Sequence, residues 1–147
     1  MAINLIVASH GLFAQEALKS AEMILGVPQE NAAVVSITAG RTSEECLEEL
    51  TNIYNQQSKK GNGTLVLVDI FGGTPANIAT YLTLTKEDVQ VYSGLNIPML
   101  LELFLSNPEN MEQAKNIIES VHGVSLVDIT AKAKEGMGED GDSMDTY

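Results

Sequence analysis

The chain has 147 residues, 44% of them apolar, and its 20 acidic against 8 basic side chains leave a net charge of −12. That length suits one domain with a real core, and no stretch reaches the ~18 uninterrupted apolar residues that would span a membrane. Nucleic-acid binding draws on clustered Lys and Arg; seven lysines and a single arginine, Arg41, in so acidic a chain make nucleic acid an unexpected partner. The N-terminus has neither a basic n-region nor a small-residue cleavage site, so a secretory signal is not expected. Cys46 is alone and cannot form an internal disulfide, which fits a reducing, cytoplasmic setting.

Strand-like apolar runs alternate with amphipathic helical stretches, the pattern of a mostly parallel open sheet with helices on both faces. The first strand is expected over roughly Ile3 to Ser9, followed by a helix in which Ala14, Ala17, Leu18, Ala21, Ile24 and Leu25 recur at helical spacing. Gly26 and Pro28 end it. A second strand runs from Ala32 to Ile37, and Thr42 with Glu45 forms a capping box for a helix lined by Cys46, Leu50 and Ile53. After the Lys60-Gly61-Asn62-Gly63 loop comes strand Thr64 to Asp69, then a helix with Pro75 in its first turn and Thr74 as its expected cap. Val89 to Ser93 reads as the fourth strand. Pro98 opens a short apolar helix through Leu105, and Asn107-Pro108 is expected to cap another that ends near His122-Gly123. Val124 to Ile129 alternates well enough for a fifth strand. Residues 1–130 thus form the domain, and 131–147 an acidic tail expected to be disordered.

Chemistry gathers where strands end, because open α/β sheets place their sites beyond the carboxyl ends of the strands. His10-Gly11 closes the first strand; Asp69-Ile70-Phe71-Gly72-Gly73-Thr74-Pro75 closes the third. A neutral imidazole is a competent nucleophile near neutral pH. A carboxylate that accepts its second N–H fixes the tautomer and stabilises the charge developing on the ring. Asp69 can serve if the first and third strands are neighbours. Gly72 and Gly73 let backbone approach an anion, and Thr74 starts a helix whose free N–H groups point at it. The blander alternative is a lone loop histidine beside an ordinary strand-to-helix turn. No Walker loop or Rossmann fingerprint is present. His122 suits the dipole of a helix C-terminus, and Asp140-Gly141-Asp142 lacks the spacing of a calcium loop, so no metal site is expected.

These segments, with Ala21-Glu22-Met23-Ile24-Leu25-Gly26 and Gly94-Leu95-Asn96-Ile97-Pro98-Met99-Leu100, make the chain resemble the IIA component of the mannose family of the bacterial phosphoenolpyruvate-dependent sugar phosphotransferase system, up to about Ile129. The resemblance implies that His10 takes a phosphoryl group, on Nε2, from the phosphocarrier HPr and passes it to a IIB component on a separate chain, with membrane components IIC and IID served indirectly. It implies that Asp69 orients the ring through Nδ1 and that Gly72, Gly73 and Thr74 hold the phosphoryl oxygens. Phe71 stands where relatives often carry Trp, and Thr74 where Ser is common. A homodimer that exchanges the strand Val124 to Ile129 is implied, and no cofactor. Leu12, Phe13 and Phe71 are expected to form an apolar rim for the partner. A phosphoryl-donor subunit of a dihydroxyacetone kinase is the nearest alternative, and a non-catalytic flavodoxin-like ligand-binding module the alternative of another class.

Overall fold

The computed structural model describes residues 1–57, 59 and 61–137. Strands β1 (Asn4–His10), β2 (Ala32–Ile37), β3 (Thr64–Val68) and β4 (Val89–Ser93) form one parallel sheet in the order β2-β1-β3-β4. Helices α1 (Phe13–Leu25), α2 (Ser43–Gln57) and α3 (Gly73–Thr85) make the crossovers, and α4 (Ile97–Ser106), α5 (Met111–Val124) and α6 (Ile129–Gly136) follow. Both faces of the sheet are covered, as the near-continuous burial of β1 and β3 requires. Side chains alternate between the layers. Ile3, Leu5, Val7, Leu65 and Leu67 pack with α1, α4 and α5. On the other face Ile6, Ala8, Val66 and Val68 pack with Cys46, Leu50 and Ile78 of α2 and α3.

The helix boundaries follow local chemistry. Gly26 takes the left-handed conformation that ends α1, its N–H donating to the Glu22 carbonyl. The Thr42–Glu45 capping box forms in both directions: Glu45 N donates to Thr42 Oγ1 at 3.1 Å, and Thr42 N to Glu45 Oε2 at 3.3 Å.

Three local expectations are corrected. Gly72, not Thr74, is the N-cap of α3, and Thr74 lies inside the first turn, where its hydroxyl makes no capping bond. Asn107 ends α4 instead of opening α5, its short side chain tolerating a φ of 50°; α5 is capped by Asn110, whose Oδ1 accepts from Gln113 N at 2.9 Å. Val124 to Ile129 is not a strand. Val124 completes α5, Ser125 caps it, and Asp128 Oδ1 accepts from Ala131 N to start α6. The expected tail therefore begins as a helix, while residues 138–147 lie outside the described residues.

Candidate active site

Register places the site. Ala8 pairs with Val68, so the next residues of two adjacent strands emerge together at the carboxyl edge of the sheet. His10 ends β1 and Asp69 follows β3. The imidazole Nδ1 lies 2.8 Å from Asp69 Oδ2, and the same oxygen accepts the backbone N–H of His10 at 3.0 Å. Asp69 Oδ1 accepts from Ile70 N at 2.9 Å, and its carbonyl from Gly94 N at 3.2 Å. Half of the histidine side chain is open to solvent, whereas only 14% of the aspartate side chain is.

Burial alone would push the Asp69 carboxyl up. The bond from the His10 ring, the two backbone amides and the attraction of the ring together outweigh it, and hold the carboxyl below its ordinary value. Asp69 is thus an ionised acceptor at neutral pH. Since a carboxylate only accepts, Nδ1 carries the proton, and in the neutral form of the ring Nε2 presents its lone pair.

Nε2 faces the start of α3. A Cβ built on Gly73 would lie 2.6 Å from His10 Nε2 and 2.8 Å from Cε1, closer than any side chain tolerates, and Gly73 has a φ of 79°. Glycine suits the position by conformation, and any side chain there would displace the His10 ring. Pro75 has no N–H, so Gly72, Gly73 and Thr74 supply the amides left free at this helix end. Imidazole nitrogen, free amides and the positive end of a helix dipole share one spot, a ready seat for an anion.

Leu12 and Phe13, just after His10, and Phe71, just after Asp69, are exposed, Phe71 almost entirely at 95%. Ile70, at 57% exposed, adjoins Asp69 in the chain and is a further apolar candidate that sequence reasoning missed; its signal was an apolar residue just beyond a strand end. His122 lies elsewhere, in the last turn of α5 in the opposite helix layer from α3. Among the described residues no three His, Cys, Asp or Glu side chains converge on a metal position.

A parallel four-stranded sheet with an oriented histidine at its carboxyl edge defines the class of protein, and comparison defines the family. The family profile described as "PTS system fructose IIA component" matches residues 4–122. The "PTS system mannose-specific EIIAB component" of Escherichia coli (strain K12) is 37% identical over 113 residues, which are 75% of this chain and 33% of that protein. The "PTS system fructose-specific EIIA component" of Bacillus subtilis (strain 168) is 32% identical over 84% of this chain and 82% of its own length. A PTS IIA protein associated with the fucose utilization operon of Streptococcus pneumoniae superimposes with a TM-score of 0.79 at 28% identity, covering 90% of this chain and 97% of that one. The chain belongs to the mannose-family IIA components of the phosphotransferase system. It spans about a third of the length of the mannose-specific EIIAB relatives.

Proposed function

We propose that this chain is a cytoplasmic phosphohistidine carrier of sugar uptake, taking a phosphoryl group from HPr on Nε2 of His10 and passing it to a IIB component that serves IIC and IID. The observation that carries the reading is the 2.8 Å contact between His10 Nδ1 and Asp69, with Nε2 turned to the free amides of α3. In the transfer, the Nε2 lone pair forms a new P–N bond while the bond from phosphorus to the donor's ring nitrogen breaks, its electron pair returning to the donor ring. Nδ1 keeps its proton, and Asp69 stabilises the positive charge that grows on the imidazole. Gly72, Gly73 and Thr74 hold the phosphoryl oxygens. No cofactor is needed for this step. Leu12, Phe13, Ile70 and Phe71 form the apolar contact for the partner. The site handles phosphate alone, so the transported sugar leaves no mark on it.

The same reading includes a homodimer. Strand β4 is an edge of the sheet, and beside it Phe71, Thr80, Val91 and Tyr92 line an open groove of about 400 Å³. Leu126, Ile129 and Met137 are largely exposed, and α6 buries none of its residues. An eight-residue helix without a buried face does not support itself, and an unpaired edge invites a strand. The segment after Val124 is the candidate to cross to the partner.

Incubation with phosphoenolpyruvate, enzyme I and HPr tests the carrier. Acid-labile phosphate should appear on the wild type and on His122→Ala, and be abolished in His10→Ala. Label retained in the His10 variant would overturn the assignment.

A further inference from the structure

The turn that carries His10 has its amides tied down one after another. His10 N donates to Asp69 Oδ2, and Gly11 N donates to the Ile37 carbonyl at 2.9 Å. Helix α1 begins at once, yet Leu12 at its N-cap offers no side-chain acceptor. The acceptor comes from five residues back: Ala14 N donates to Ser9 Oγ at 2.7 Å. Ser9 and Ala14 are both fully buried. By strand alternation Ser9 faces the α1 layer with Val7, while His10 faces the α3 layer with Ala8. Adjacent residues thus pin one turn from opposite faces of the sheet.

We propose that Ser9 is a positioning residue for His10, an inference that rests on the phosphocarrier reading. Its hydroxyl touches neither Nε2 nor the anion seat. It fixes where α1 starts, and so fixes the path of His10, Gly11 and Leu12. Without that oxygen the Ala14 N–H is buried without a partner, and the first turn of α1 shifts to find one. The shift reaches His10 directly, because its amide and its ring both bond a single carboxylate oxygen. Such bonds fade within a few tenths of an ångström and with angle. On the other side the ring stands beside Gly73, where an added Cβ would meet Nε2 at 2.6 Å.

Ser9→Ala is expected to leave affinity for phospho-HPr unchanged and to slow transfer about tenfold, less than the ~10²-fold that a 1 Å misplacement can cost. Ser9→Thr keeps the acceptor and should recover the rate. If Ser9→Ala does not fold, Ser9→Cys replaces it, since its sulfur is a weak acceptor of similar size. Nitrogen-15 spectra of the His10 ring, taken where the ring is neutral, should show the Nδ1–H tautomer in the wild type and a mixture in Ser9→Ala or Ser9→Cys. A folded Ala or Cys variant with wild-type rate and tautomer would reduce Ser9 to a helix cap and overturn the proposal, as would a Thr variant that recovers neither. The ring spectrum needs no phosphoryl donor. Failure of the wild type to label would therefore sink the phosphocarrier reading, whereas an unaltered ring spectrum in the variants would sink the role of Ser9.

Discussion

Asp69 concentrates the electrostatics of the site on two oxygens. Three donors converge on its carboxylate: the His10 ring, the His10 amide and the Ile70 amide. They outweigh burial and lower its pKa. A carboxyl held below its unfolded value contributes stability that is fully present above the ordinary range near ~3.9 and is lost as pH falls through the folded value. Asp69→Asn removes that contribution, so the stability gap between wild type and variant should be widest near neutrality and shrink on acidification in chemical denaturation. The amide retains a hydrogen bond but no longer enforces the tautomer or balances the ring charge. Transfer from phospho-HPr should fall by at least ~10-fold. Normal stopped-flow kinetics in the variant would mean that another group orients His10.

At the scale of elements, legibility tracked whether the chemistry was local. The Thr42–Glu45 box and the Gly26 terminus could be read because each is complete within a few residues. His10 and Asp69 could be paired on paper once β1 and β3 were taken as neighbours, which the register makes them. Asn107 and Asn110 misled because asparagine both caps a helix start and tolerates the left-handed turn that ends one. Val124 to Ile129 misled for a different reason. Its alternation is a strand pattern, but a strand needs a neighbour, and in the single chain this segment pairs with none. Val124 instead extends the apolar row of Ile117, Ile118 and Val121, and Asp128 precedes the good helix formers Ala131, Lys132 and Ala133. The segment's conformation in a dimer is therefore testable by removal. Truncation after Gly123 should weaken self-association in sedimentation, while truncation after Met137 should not. Equal behaviour of the two would count against strand exchange.

For the whole molecule, the proposed carrier function would give the charge of −12 and the exposed apolar residues beside His10 and Asp69 in the chain separate tasks. Glu44, Glu45 and Glu48 stand exposed at the start of α2, the end nearest the carboxyl edge of the sheet because the crossover helices run antiparallel to the strands. Leu12 and Phe13 follow His10 in the chain, Ile70 and Phe71 follow Asp69, and all four expose apolar area. Exposed charges act at a distance and are screened once the Debye length contracts to ~8 Å at physiological ionic strength; apolar contact acts only after docking and is barely sensitive to salt. A basic phosphoryl donor should accordingly meet this chain faster at low salt, with the association rate falling across a salt series and the dissociation rate nearly constant. Stopped-flow phosphotransfer at graded ionic strength separates the two rates. A flat association rate would assign the acidic surface to solubility alone and leave recognition to the four apolar side chains, in which case Phe71→Ala, the most exposed of them, should raise the dissociation rate at every salt concentration.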